Sequence, residues 1–337
     1  MDYIKRFITK NILIFLRIFP PEASSKISLI SLKILIKFNF KFLAKKSISP
    51  KESKINLCGI TFENYLGLSA GIDKEGKYFG SLGELGFSFV EVGTFTPSPQ
   101  KGNEYPRIKR LLKEESLINR LGFNNPGILK GIQNIKKNKK TFRGVLGISI
   151  GKNKDTSLDD AYKDYIFCLD HCFNYADYVA VNISSPNTSN LRMLSSMSYI
   201  DDLTREINLR TKYLEKKYIK KVPLFLKLSP DESKEDIERI ISTSLSNDFS
   251  GFIISNTMSG KYRGINGGIS GELLKNKSLD MLTKVHDMVG EKIPLIASGG
   301  ISNKFDVQER LDNGAKLIQI YTSFVYRGPY VINDLLN

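Results

Sequence analysis

The sequence predicts an α/β fold: a closed (β/α)8 barrel of the TIM type, preceded by a two-helix extension. Three observations predict it. Eight short apolar runs recur at 65–70, 88–93, 144–149, 177–183, 222–228, 251–255, 293–297 and 316–321. Segments of helical period, such as 158–174, 200–217, 232–246, 272–288 and 304–313, fall between many of them. Polar residues crowd the C-terminal ends of the runs. Short apolar runs read as buried strands, and strands alternating with helices define a parallel α/β sheet. Eight such strands suggest closure, with chemistry collected at the C-terminal strand ends.

A chain of 337 residues suffices for one large barrel or two smaller domains, and 41% hydrophobic content supports a substantial core. The charge is uneven. Residues 1–46 hold ten basic residues (Lys5, Arg6, Lys10, Arg17, Lys26, Lys33, Lys37, Lys41, Lys45 and Lys46) against Asp2 and Glu22, which is eight of the net +15. Between them stand Tyr3, Ile4, Phe7, Ile8, Ile12, Phe15 and Leu16, then Leu29, Leu32, Ile36, Phe40 and Leu43, largely at three- and four-residue steps. Pro20-Pro21 breaks this run into two helices. A basic hairpin with broad apolar faces suits an anionic membrane surface. Two alternatives stand beside that reading: helices that merely cover the barrel, and a nucleic-acid site. Nucleic-acid sites rarely need so many large aliphatics among the lysines, so peripheral membrane association ranks first and no nucleic-acid partner is expected. The hairpin is assigned to 1–46, a linker to 47–56 and the barrel to 57–337. No cleavable signal is read, and no run approaches the roughly 20 apolar residues of a span.

Three cysteines without a CxxC pair and only two histidines give no reason to expect a metal. Cys168 and Cys172, four apart in a helical segment, read as packing residues.

The strand ends carry the chemistry. After 65–70 comes Ala70-Gly71-Ile72-Asp73-Lys74; after 88–93, Thr94; then Ser149, Lys227, Ser255-Asn256-Thr257, Gly300 and Tyr321-Thr322. The run Tyr178-Val179-Ala180-Val181 opens directly into Asn182-Ile183-Ser184-Ser185-Pro186-Asn187-Thr188, where Pro186 pushes Ser185 toward an extended backbone. Such a turn holds amides and hydroxyls around one small polar ligand. Taken alone, it is also an ordinary Asn/Ser/Pro loop. Lys227 interrupts the apolar run LFLKLSP, and an ammonium buried there is costly without an anion. The glycines of GGISG (267–271) and ASGGI (297–301) fit a phosphate cradle at the last strand ends, and no GxGxxG follows a strand. Segment 95–143 is too long for an ordinary connection, which marks it as functional.

NISSPNT, LSAGIDKEG (68–76), EVGTFTPSPQKGNEYPRIKRL (91–111), INRLGFNNPG (118–127), GISIGKNKDT (147–156), FLKLSPD (225–231), ISNT (254–257), GGISG, ASGGI and IQIYTSF (318–324) together resemble the dihydroorotate dehydrogenase family, in order and over Leu57 to the C-terminus. The resemblance implies FMN, held by Ala70, Gly71, Ile72, Asp73, Lys74, Thr94, Asn182, Lys227, Ser255, Gly271, Gly300, Tyr321 and Thr322. It also implies Ser149, which stands where relatives commonly have Asn. For dihydroorotate and orotate it implies Lys74 at the carboxylate, with Asn119, Asn182, Asn187 and Asn256 at the imide edges, since amides both donate and accept. Thr257 stands beside them, and Arg120-Leu121-Gly122-Phe123 close over the ring. Ser185 takes the position of the base, with Thr188 and Phe123 shaping its relay. The cytosolic branch resembles NxSCPN there. Serine therefore implies the membrane-associated, quinone-using branch, placed on the cytoplasmic face of the bacterial inner membrane, with Arg110 and Tyr321 on the quinone side. Ser25 is nearest to the place where many relatives have a second-helix His. The rivals are a soluble enzyme of this fold using fumarate or NAD, and a basic barrel that binds without catalysis.

Overall fold

In the computed structural model, which describes residues 2–38, 54–140, 142–188, 191–195 and 197–337, eight parallel strands close into a barrel. In chain order the strands are β1 (Ile55–Leu57), β2 (Ile60–Phe62), β3 (Leu66–Leu68), β4 (Phe89–Phe95), β5 (Ile108–Leu111), β6 (Ser116–Asn119), β7 (Val145–Ile150), β8 (Tyr178–Asn182), β9 (Leu224–Lys227), β10 (Gly251–Ile254), β11 (Met258–Tyr262), β12 (Ile265–Gly271), β13 (Leu295–Ser298) and β14 (Ala315–Ile320). The barrel runs β3-β4-β7-β8-β9-β10-β13-β14 and closes through β14 onto β3. These are the eight apolar runs of the sequence, each within a few residues. The helices are α1 (Asp2–Leu16), α2 (Pro21–Lys37), α3 (Phe79–Gly83), α4 (Ile128–Lys139), α5 (Ala161–Cys172), α6 (Met197–Tyr218), α7 (Lys234–Ser246), α8 (Lys275–Val289), α9 (Lys304–Asp312), α10 (Thr322–Arg327) and α11 (Tyr330–Leu336). Cys168 and Cys172 are free thiols buried in α5.

The interior is built in storeys by the two-residue period of a strand. Phe89, Tyr178, Phe225, Ile253, Ile296 and Leu317 form one apolar cluster, which the β1-β2 hairpin covers from below through Phe62, Ile55, Leu57 and Ile60. Two residues further along the same strands stand Glu91, Ala180, Lys227, Ser255, Ser298 and Gln319. The interior therefore turns polar toward the C-terminal mouth. Room for the large rings comes from glycine: a Cβ at Gly67 would overlap the Phe89 ring, and one at Gly147 the Tyr178 ring.

Six strands are absent from the eight apolar runs: the β1-β2 hairpin and four more outside the barrel. β5 and β6, inside the long segment 95–143, pair with β11 and β12 in a separate antiparallel sheet, β11-β12-β6-β5. Each hairpin is short, and the sheet exists only because segments some 150 positions apart meet, so no local pattern announces it.

The Pro20-Pro21 break separates α1 from α2 as read. The end of the assigned hairpin, 39–46 with Phe40 and Leu43, and most of the 47–56 linker lie outside the described residues. The helices are fastened to the barrel by ion pairs: Arg6 with Asp334 at 2.6 Å, and Arg107 with both carboxylate oxygens of Glu22 at 2.8 Å. Arg107 is almost fully buried. Away from these contacts Phe7, Phe15, Ile18 and Phe38 are 58–77% exposed. Among the described residues no helix is long and apolar enough to cross a membrane.

Replacing Gly147 by alanine should destabilise the fold by about 1–3 kcal/mol through overpacking against Tyr178. Equilibrium urea unfolding of the two proteins measures this, and an unchanged midpoint would show that the ring has room to move.

Candidate active site

A cleft of about 160 Å³ opens at the C-terminal mouth of the barrel, under the β5-β6-β11-β12 sheet. It is built from the strand ends. Asn182, the last residue of β8, donates from Nδ2 to Thr94 Oγ1 at 3.0 Å, and its Oδ1 accepts from Ser184 N–H and Asn256 Nδ2. Asn256 also donates to Ser184 Oγ at 3.0 Å. Across the cleft, Asn187 Nδ2 donates to Asn119 Oδ1 at 2.9 Å, and Asn119 donates to Gly268 O. The four asparagines thus converge from β6, β8, the loop after β8 and the loop after β10. All four line the cleft; Asn119, Asn182 and Asn187 each keep one amide N–H beyond these bonds, whereas both N–H groups of Asn256 are used within the web.

Ser185 lines this volume, with Asn187 N–H donating to its Oγ at 3.4 Å. The Thr188 hydroxyl is buried close by in sequence and has no hydrogen-bond partner among the described residues. Phe123 lines the cleft with φ +50°, a conformation strained for a large side chain. Gln100 Nε2 and Asn125 Nδ2 both donate to its carbonyl and hold it there.

At the other end Gly271, Gly299 and Gly300 all have positive φ, and a Cβ at Gly300 would overlap the Lys275 backbone. Only glycine lets the chain pass so closely, leaving backbone N–H groups open to an anion. Behind this turn the Arg310 guanidinium, itself buried, donates to Lys275 O and Ser278 Oγ. Lys227, at the end of β9, donates to Ser69 Oγ at 3.2 Å and keeps N–H groups for the cleft. Glycine cradle, buried ammonium and flat amide web together fit a phosphorylated, electron-accepting ring cofactor. FMN is such a group.

Two sequence-assigned residues are turned elsewhere. The Asp73 carboxylate accepts from the N–H groups of Glu75, Lys77, Tyr78 and Phe79, so it orders the loop after β3 rather than facing a ligand. The Arg120 side chain is exposed and donates to Pro106 O, while Leu121, Gly122 and Phe123 do line the cleft. Ile72 packs in the core and borders a second cavity. Ser149 is buried and reaches only Thr94 Oγ1, at 2.9 Å; a side chain that short acts on the cleft through Thr94. Ala70, Gly71, Ser255, Thr257, Tyr321 and Thr322 line the cleft.

That second cavity, about 1180 Å³, lies between α1, α2 and the barrel. Lys74 and Tyr321 border both cavities. Arg110 borders the second, donating to Arg17 O, Phe19 O and Ser24 Oγ at the turn between α1 and α2, and Ser25 lines it. Burial pushes Tyr321 up to about 12. Burial pushes Lys74 down to about 8; the Glu22 carboxylate pulls it back up and Arg107 pushes it down.

Sequence reasoning missed several residues here. Arg192 clasps the serine loop by donating to Ser184 O, Asp231, Ser259 Oγ and Thr257 O. An arginine in a loop carries no local signal of that role. Glu91 could have been found, because it interrupts the apolar FVEVG as Lys227 interrupts LFLKL.

Fold and site define an enzyme of the (β/α)8 barrel class with a polar pocket at the strand ends. The model of the dihydroorotate dehydrogenase family matches residues 53–337. The chain belongs to that family. It is 42% identical over 289 residues to the dihydroorotate dehydrogenase (quinone) of Vibrio atlanticus, covering 84% of this chain and 85% of that one. It is 39% identical over 323 residues to that of Pectobacterium atrosepticum, covering 94% and 95%. The solved Eimeria tenella DHODH in complex with ferulenol superposes with a TM-score of 0.83 at 31% identity, over 91% of this chain and 89% of that one.

With burial holding Lys74 at about 8, an anion that pairs with it in the cleft, for which orotate is the probe, should lose affinity as pH rises through that value, about tenfold per unit beyond it. Isothermal titration across pH 6.5–10 measures it (about the range that brackets this pKa). Glu22→Gln should move the break to lower pH, and Lys74→Met should abolish it. A break that ignores both changes would assign the titration to another group.

Proposed function

We propose that the chain oxidises dihydroorotate to orotate in pyrimidine biosynthesis, with FMN in the barrel mouth and a membrane quinone as the final electron acceptor. One observation carries the reading: Ser185, four asparagines and Lys74 converge on a cleft whose far end is a glycine cradle. Bound FMN supplies two-electron acceptance from the substrate C6. The chain's residues do the rest.

The backbone of Gly299-Gly300 and Gly271 holds the phosphate, and Lys227 stands as a cation at the ring. Asn119, Asn182, Asn187 and Asn256 meet the N–H and C=O edges of the pyrimidine, while Lys74 takes its carboxylate. Ser185 Oγ takes the C5 proton. Serine is a weak base, so that proton must move on, and the Thr188 hydroxyl, without a hydrogen-bond partner among the described residues, is the next acceptor in the loop. Leu121, Gly122 and Phe123 exclude water above the ring. The second cavity gives a quinone a path between α1 and α2 to Tyr321, where the two cavities meet. The exposed apolar side chains and basic residues of these helices support a peripheral seat on the cytoplasmic face of the inner membrane.

Ser185→Ala should retain FMN and orotate binding yet lose about 10²–10⁴-fold in flavin reduction by dihydroorotate, with reoxidation by quinone nearly unaffected. Ser185→Cys should keep part of the rate. Stopped-flow flavin absorbance separates the half-reactions, and parent-like reduction in Ser185→Ala would remove Ser185 as the base.

Deleting residues 1–46 should leave a yellow, folded barrel that no longer partitions to membranes and reacts poorly with long-tailed quinone. Parallel assays with quinone, fumarate and NAD test the acceptor. Unchanged partition and turnover in the truncated protein would defeat the assignment of the hairpin.

A further inference from the structure

Glu91 is the one acidic side chain of the polar storey inside the barrel, and the reaction outlined above gives it no task. It is fully buried on β4. Its Oε2 accepts from Tyr178 Oη–H at 2.9 Å and from Gln319 Nε2–H at 2.8 Å. Its Oε1 has no hydrogen-bond partner among the described residues, and Lys227 Nζ stands 3.9 Å from it. The two oxygens thus have separate tasks. One is saturated by neutral donors, which anchors the carboxylate. The other presents negative charge to the ammonium at a distance too long to capture its N–H groups. Lys227 keeps one hydrogen bond, to Ser69, and its remaining donors are free for the cleft.

Stability alone does not explain this arrangement. The storey below, on the same strands, is filled with rings and aliphatics, and a buried ion pair is commonly no more stabilising than apolar side chains of the same volume. What the pair does supply is a carboxylate beside a buried amine.

We propose that Glu91 is a positioning residue for the flavin site: anchored by Tyr178 and Gln319, its carboxylate keeps Lys227 an ammonium and aims it at the ring of the bound cofactor. This rests on the FMN reading above. Burial pushes the Lys227 ammonium below its ordinary range, and Glu91 is the charge that pulls it back. The other titratable group against the pair is Tyr178 from β8, held protonated by burial and by Glu91 itself. From β3 and β14 come only the neutral Ser69 and Gln319. Lys74, elsewhere on the cleft lining, is the other cation.

The consequence is a proton count. With Lys227 already charged, two electrons entering the flavin bring one proton, to N5. Without Glu91, Lys227 is neutral in the oxidised enzyme and takes up a second proton on Nζ when negative charge arrives beside it.

The test is the midpoint potential of FMN in the holoenzyme against pH, by spectroelectrochemical titration from about pH 6.5 to 7.5, where Lys74 still carries its proton and both lysines lie below their ordinary range. The parent should show one proton per two electrons throughout. Glu91→Gln should double that slope within the window, and adding Lys227→Gln should restore it. Glu91→Met, which fills the same volume without an amide to satisfy, should double the slope as well and serves if the glutamine variant does not fold. A merely structural role would change FMN content or melting temperature but not the slope, so a parent-like slope in a flavin-loaded Glu91 variant overturns the inference. A doubled slope already present in the parent overturns it without any variant. A parent that purifies without FMN overturns the flavin reading and this inference with it.

Discussion

Everything at the site depends on one constraint: inward-facing positions on a closed parallel barrel recur every second residue and stack in layers to which alternate strands contribute. A single choice per storey therefore sets the character of a whole layer. Rings and aliphatics at Phe89, Tyr178, Phe225, Ile253, Ile296 and Leu317 make a dry floor. The next storey carries Glu91, Lys227, Ser255, Ser298 and Gln319, and the strand ends above it carry Ser69, Ser149 and Asn182. The cleft is polar because inward-facing side chains turn polar where the packed core reaches the strand ends. Charges there act at low dielectric, which is why a lysine needs a partner and why its placement matters.

The antiparallel sheet above the mouth completes what the barrel leaves open. β6 brings Asn119 and β12 brings Gly268 and Gly271, so the asparagine side of the cleft and its glycine turn are tied together by one piece of structure. Register there is exact in consequence: Gly268 pairs with Asn119, and the carbonyl of Gly268 orients that amide. Arg192 ties the serine loop to the same sheet through Ser259 Oγ and Thr257 O. The serine loop, Asn119 and the Gly271 turn are therefore held by a common support rather than by independent loops.

The helical hairpin is coupled to this site by charge as well as by packing. Glu22, near the start of α2, forms a two-pronged ion pair with the buried Arg107, and its field also reaches Lys74 and Tyr321. Arg110 satisfies carbonyls left open at the end of α1. The same contacts that dock the hairpin thus shape the electrostatics where the two cavities meet.

The sequence by itself determined the eight barrel strands, the helices it read between them, the break at Pro20-Pro21 and the polar residues at the strand ends; with the family resemblance it reached about half of the residues that line the cleft. Each of these is a local signal: an apolar run, a helical period, a proline pair, or a polar cluster at a strand end. Only the tertiary structure decided what those residues touch. Asp73 and Arg120 sit in the right motifs but spend their polar groups on nearby backbone, because a loop's direction is set by what it packs against. Ser149 reaches the cleft only through Thr94. Glu91 became visible as the partner of Lys227 only when β4 and β9 were brought to facing walls of one barrel. The sheet of β5, β6, β11 and β12 required segments some 150 positions apart to meet. Periodicity reports which face of an element is buried; it carries no information about which distant element lies across from it.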